Sequence, residues 1–259
     1  MSFLLSVLRL LVRIPLLGLF LLLGLMPALM WINYQQGLDS PDGRRKAETA
    51  TNRVASAVLR IFGVRVRLSG EPADGPVLIA ANHLTWLDTF VLHSIRAMGF
   101  VAKAEIDGWP LARFMVRAGG TIFHRRGSHD SSQDAVAAMV ARLKSGRRVA
   151  IFPEGGVLPG TEIHRFHARM FRAAVDAGCP VQPVMIRYMA GSARDDDVTF
   201  RSGESMPGNI FRMLARRGVE ADVRFLPLVE AAGQPRRALA DAARAAIVAC
   251  YDEAPAGQI

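Results

Sequence analysis

Apolar residues are unevenly spread along this chain. Ile14 to Trp31 runs for 18 residues without a charged or strongly polar side chain, a length that just spans a bilayer as a helix. Beyond it, short apolar runs of strand length alternate with stretches whose apolar positions recur every three or four residues. The pattern predicts a helix near 47–62, strands near 64–68 and 76–82, helices near 85–97 and 109–118, and a strand near 120–124. A helix near 131–144, a strand near 148–152, a helix near 165–177 and a strand near 181–188 follow. Strands near 197–201 and 221–226 and a helix near 235–251 complete it. Such alternation implies an α/β fold: a largely parallel central sheet flanked by helices, behind an N-terminal hydrophobic membrane-anchoring helix or helical pair. The expected division is an anchor at 1–35, a linker and connecting helix at 36–62, and one domain at 63–259.

Basic residues flank the apolar run on both sides, Arg9 and Arg13 before it and Arg44, Arg45 and Lys46 after it, so charge alone does not orient it. A signal peptide shares the basic start and apolar core, but Met26 stands two before Ala28 where a small residue belongs. Retention is the expectation, with Pro15 and Pro27 as places for a kink.

The 259 residues are 51% hydrophobic and 21% charged, enough for a substantial core. A net charge of +9 implies an anionic partner. The apolar segment, only 7% aromatic residues and no recognisable nucleic-acid motif argue against nucleic acid and for anionic lipid head groups. Cys179 and Cys250 are too few and too far apart for a disulfide framework or a zinc site. His164 and His167 lack accompanying acidic or cysteine ligands, and consecutive carboxylates at Asp195, Asp196 and Asp197 point apart or lie in a solvated turn, so no metal site is expected. Arg165, Arg169 and Arg172 share one face of the helix expected at 165–177, which suits an amphipathic surface or a membrane-facing one.

Candidate chemistry begins where the apolar run Gly75–Ala81 ends in Asn82-His83-Leu84-Thr85-Trp86-Leu87-Asp88. Five extended residues would hold imidazole and carboxylate roughly 17 Å apart, and a continuous helix would turn them about 140° from each other. A turn must therefore intervene, with His83 at a strand end and Asp88 in a helical first turn. Thr85 to Asp88 also has the form of a capping box, so Asp88 reads either as a helix cap or as the orienting partner of a general base. Downstream, a strand runs into Phe152-Pro153-Glu154-Gly155-Gly156, displaying a carboxylate on a sharp turn. Gly120-Thr121-Ile122-Phe123 leads to Arg125 and Arg126, whose guanidinium forks suit a phosphate.

Together with Val181-Gln182-Pro183-Val184, these blocks resemble the glycerolipid acyltransferase family and its lysophosphatidic acid acyltransferases in particular. That pattern is Asn-His-x4-Asp, Gly-x-x-Phe-x-x-Arg, Phe-Pro-Glu-Gly and Val-x-Pro-Val, here at Asn82 to Asp88, Gly120 to Arg126, Phe152 to Gly155, and Val181 to Val184. The resemblance spans about 105 residues in the correct order. One departure is Gly156, where the family usually has threonine.

The resemblance implies that 63–259 is a catalytic domain transferring a fatty acyl group from acyl-CoA or acyl-ACP to a lysophospholipid hydroxyl, with the thioester as co-substrate and no other cofactor. It further implies His83 as general base, Asp88 as its orienting partner, Arg126 on the acceptor phosphate and Glu154 on the acceptor head group, with Asn82, Gly155 and Gly156 in the substrate-binding set. The turn amides at Gly155 and Gly156 are candidates either for an oxyanion or for that phosphate. Lysophosphatidic acid is the leading acceptor, and lyso-ornithine lipid the alternative. A noncatalytic lipid-binding role is the rival from another class. The anchor either crosses once or forms, with residues 3–13, a helical pair in one leaflet of the inner membrane, with the catalytic domain on the cytoplasmic side beside acidic acyl carrier protein.

Overall fold

The N-terminal apolar run folds as one continuous helical stretch in the computed structural model, which describes residues 2–38, 40–103, 120–124, 129–157 and 162–253. Helix α1 (Ser2–Leu19) passes through Pro15 into a π-helical turn (Phe20–Leu25) and then α2 (Met26–Gly37). The widened turn directly precedes Pro27, which has no N–H to give and whose ring crowds the carbonyl four residues back. No break separates residues 3–13 from the rest, so of the two forms expected, helix or helical pair, the structure has the single helix. Most of this helix is uncovered: Phe3, Leu4, Leu8, Leu11, Leu22 and Leu23 are all exposed. It is a candidate membrane-anchoring segment.

Within 36–62, where a linker and a connecting helix are expected, the helix begins at Pro41. In α3 (Pro41–Phe62), the Ser40 hydroxyl accepts from the Gly43 N–H, Pro41 fills a first-turn position whose N–H is dispensable, and Gly63 ends the helix. Its Ala47 packs with Leu25, Leu29 and Ile32 in a small apolar cluster of its own.

The remaining elements are β1 (Val64–Ser69), β2 (Leu78–Ala81), α4 (Leu87–Ile95), β3 (Gly99–Lys103), β4 (Ile122–His124), α5 (His129–Lys144), β5 (Val149–Ile151), α6 (Arg172–Ala177), β6 (Val181–Ala190), β7 (Ala193–Arg194), α7 (Met206–Ala215), β8 (Val219–Phe225) and α8 (Arg236–Asp252). They form one sheet in the order β1-β8-β6-β2-β5-β3-β4, with β7 paired to β6. Strands β6, β2, β5, β3 and β4 are parallel, while β8 runs antiparallel to β6 and parallel to β1. Strands β2 and β5 are buried throughout, as continuous apolar runs covered on both faces must be.

The observed elements depart from the expected pattern at four places. Gly99–Lys103 is an interior strand. The helix at 165–177 shrinks to α6 because tertiary partners take the preceding backbone: Arg244 donates to the carbonyls of Ile163 and His164, and His167 N–H to Pro153. Arg165, Arg169 and Arg172 therefore share no helix face, and Arg169 bonds Ser132 instead. The strand at 197–201 is a short 3-10 turn (Asp196–Val198), with Asp197 paired to Arg201 and Arg212 and Asp195 to Arg216. The helix α7 follows without having been expected. The helix predicted at 109–118 lies outside the described residues.

Candidate active site

Strand β2 stops at Ala81 while its neighbour β6 continues. Asn82 extends the ladder with its side chain, Nδ2 donating to the Ile186 carbonyl and Oδ1 accepting from the Ile186 N–H, both at 2.8 Å. The residue is fully buried and both amide heteroatoms are engaged. The expectation that Asn82 contacts substrate gives way to a framing role.

The chain then turns into α4, whose first turn carries Asp88. Asp88 Oδ2 accepts from the N–H groups of Leu84 (2.7 Å) and Thr85 (2.9 Å) and stands 2.9 Å from His83 Nδ1. Cap and imidazole contact thus coexist in one carboxylate with no exposed surface. Facing an acceptor, Nδ1 carries the proton and Nε2 keeps its lone pair. The ring lies flat on Phe152, with centroids 3.9 Å apart and an 11° interplanar angle. The His83 side chain is 15% exposed, open enough for a substrate to reach.

Glu154 follows β5 on the turn Phe152–Gly155, closed by the Gly155 N–H donating to the Phe152 carbonyl at 3.1 Å. Gly155 has φ 83°, a left-handed conformation that a side chain would strain. Its amide N–H is used in closing the turn. Glu154 Oε1 accepts from the His83 N–H and Oε2 from the His164 N–H, each at 2.8 Å. The carboxylate ties the histidine loop to the segment after the turn, which departs from its expected place on an acceptor head group. Burial pushes its carboxyl pKa up, and the two amides draw it part of the way back.

Tyr188, on β6, donates to Asp88 Oδ1 at 2.7 Å. Burial, then the neighbouring carboxylate, raise its own pKa well above the ordinary phenol value, so it remains a donor. Among the other expected residues, Gly156 follows Gly155 on the same turn, and Arg126 lies outside the described residues. Gly120 leaves room for Arg142, whose guanidinium donates to the Gly120 carbonyl and would collide with a Cβ there. Among the described residues no group of three or more His, Cys, Asp or Glu is placed to hold a metal.

The acyltransferase family model matches residues 63–187. The lyso-ornithine lipid O-acyltransferase of Pseudomonas aeruginosa is 33% identical over 217 residues, covering 84% of this chain and 84% of that one. The chain belongs to the glycerolipid acyltransferase family. A 1-acyl-sn-glycerol-3-phosphate acyltransferase of Neisseria gonorrhoeae is 31% identical over 209 residues, 80% of this acyltransferase and 82% of that one. In fold, the acyltransferase matches the crystal structure of the 1-acyl-sn-glycerophosphate (LPA) acyltransferase PlsC of Thermotoga maritima with a TM-score of 0.71 at 16% identity, over 98% of this chain and 100% of the other.

Within the acyltransferase, the pair that spacing suggests meets, His83 reaching Asp88, while the contact of Glu154 with the His83 backbone was not expected. Phe152 and Tyr188 were missed as site residues, although both sit in or beside the quoted blocks. Apolar periodicity marks Phe152 as core, and nothing local tells which strand residue of β6 faces a carboxylate 100 positions earlier.

Proposed function

We propose that this acyltransferase moves a fatty acyl group from acyl-CoA or acyl-ACP to the sn-2 hydroxyl of 1-acylglycerol-3-phosphate, giving phosphatidic acid, with His83 as general base and Asp88 as its orienting partner. The observation that carries the reading is the 2.9 Å His83 Nδ1–Asp88 contact at the C-terminal end of a central parallel strand, where open α/β sheets place their ligands. An alcohol attacks a thioester poorly unless its proton leaves as the bond forms. His83 Nε2 takes that proton while the alcohol oxygen bonds to the thioester carbonyl carbon. Asp88 stabilises the imidazolium that results. Collapse of the tetrahedral intermediate breaks the carbon–sulfur bond, and the thiolate recovers the proton from His83. The products are an ester and a free thiol, with no enzyme nucleophile. Arg126 is assigned to the acceptor phosphate and Gly156 to the acceptor side of the turn.

A second acceptor, lyso-ornithine lipid, is favoured by two observations. Gly156 replaces the hydroxyl residue usual at that turn, and the Pseudomonas aeruginosa relative bears that name. In either case the apolar N-terminal helix would hold the protein in the inner membrane, with the catalytic domain facing the cytoplasm where acyl thioesters are made. Docking of Arg9 and Arg13 against the carbonyls of Leu214, Ala215 and Arg216 supports a segment retained rather than cleaved.

The test is acyl transfer by purified, detergent-solubilised protein, with labelled acyl-CoA or acyl-ACP and both lysolipids side by side. The expected result is product that vanishes in His83→Ala, and the acceptor consumed identifies the substrate. Equal turnover by His83→Ala would overturn the general-base assignment.

A further inference from the structure

The two oxygens of Asp88 are used unequally. Oδ2 receives Leu84 N–H, Thr85 N–H and His83 Nδ1–H, whereas Oδ1 receives the Tyr188 hydroxyl. The phenol comes from β6 and meets the oxygen that the His83 loop does not use, and the ring is buried in the strand's packing. Rotation about the Cβ–Cγ bond carries both oxygens, and the donors on Oδ2 resist it from one side only. A second contact at Oδ1 restrains it from the other.

Resting on the general-base reading of His83, we infer that Tyr188 is a positioning residue for the reaction: its hydroxyl locks the Asp88 carboxylate in the plane that meets His83 Nδ1 and shares its negative charge. Among the described residues, hydrogen bonds link four ionisable groups to this contact. His83 and Asp88 belong to the loop and α4, Glu154 holds the His83 amide from the β5 turn, and His164 lies beyond Glu154. Of these, Asp88 alone bonds the phenol. Charge that the phenol draws from Asp88 is charge that His83 does not feel. Removing the hydroxyl therefore both loosens the carboxylate and lets it favour the imidazolium more strongly.

The experiment compares wild type, Tyr188→Phe and His83→Ala as full-length protein in detergent, following kcat, KM, the pH dependence of kcat, and thermal melting. For Tyr188→Phe the expected result is a kcat about tenfold lower, as loss of one charge-assisted hydrogen bond implies, with the lysolipid KM within about twofold. Its acid limb moves to higher pH, because His83 holds its proton longer. A lower melting temperature with kcat and the acid limb unmoved would overturn the inference in favour of a packing role. A raised KM with kcat unmoved would overturn it in favour of a substrate contact. An inactive His83→Ala beside an unaltered Tyr188→Phe overturns the tyrosine's role alone, while an active His83→Ala overturns the general-base reading beneath it. Should Tyr188→Phe fail to fold, site-specific 3-fluorotyrosine keeps the shape and donates more strongly, so the acid limb moves to lower pH. An unmoved limb in that protein would overturn the inference.

Discussion

Glu154 shows how a residue at the centre of a sequence block can act on the fold of a site. Each oxygen meets a backbone N–H at 2.8 Å, so Glu154→Gln must turn an NH2 group towards one of two donors. One bond is lost and two donors face each other, which destabilises by about 1–3 kcal/mol. The His83 loop loosens with it. We expect a lower melting temperature and a kcat reduced roughly tenfold with the acceptor KM little changed; a raised KM at constant kcat would instead return the carboxylate to the acceptor head group. Much of this site was legible from the order of residues. The five-residue spacing of His83 and Asp88 demanded a turn, and both the turn and the contact are present. What sequence could not supply was the second ligand of each group. Tyr188 on Asp88 and His164 on Glu154 depend on which strand and loop lie alongside, and sheet order is a long-range property.

At the level of elements, the continuous apolar runs of β2 and β5 were read correctly because each is apolar throughout and of strand length, whereas the run of β3 was not assigned. The misses arose where local signals were weak or overruled. Residues 165–171 have helical periodicity, yet the Pro153 carbonyl takes the His167 N–H, and Arg244 holds the carbonyls of Ile163 and His164 just before them. Helix α7 carries a serine cap at Ser205 and a proline in its first turn, Pro207, a start signal that lies outside the expected elements. Helix α4 yields a prediction of its own. His93 is buried with its Nδ1 unpartnered, and burial, helped by Arg142, lowers its pKa to about 4. The unfolded chain takes up a proton near pH 6.5, while the folded form resists until about 4. Stability is therefore fully present above pH 6.5 and falls as the pH drops through that window, by roughly 3 kcal/mol in all. Melting temperatures between pH 7.5 and 4.5 should decline less steeply in His93→Leu than in wild type; parallel declines would mean that His93 already protonates freely in the folded protein.

Across the whole molecule, the N-terminal helix is joined to the catalytic machinery through α7. Arg13 donates to the carbonyls of Leu214 and Arg216 at 3.0 Å each, and Arg9 reaches Ala215 at 3.4 Å, so the anchor supplies the donors that the end of α7 lacks. From the same helix, Asn209 Oδ1 accepts the Trp86 indole N–H at 2.9 Å, and Trp86 lies between His83 and Asp88. A path of contacts therefore runs from the apolar segment to the loop that holds the base. Arg9→Ala with Arg13→Ala leaves the apolar surface intact and cuts this path at its first step. Membrane binding, judged by flotation with liposomes, should persist in the double variant and disappear when residues 1–37 are deleted, because exposed apolar area drives insertion and two arginines do not. Stability should fall by about 1–3 kcal/mol as α7 loses its end donors, and kcat should fall roughly two- to fivefold as Asn209 loosens its hold on Trp86. Unchanged melting and turnover in a variant that still floats would mean that the anchor tethers the enzyme without bracing it. Loss of flotation on removing the arginines alone would mean that charge, rather than the apolar run, holds the protein at the bilayer.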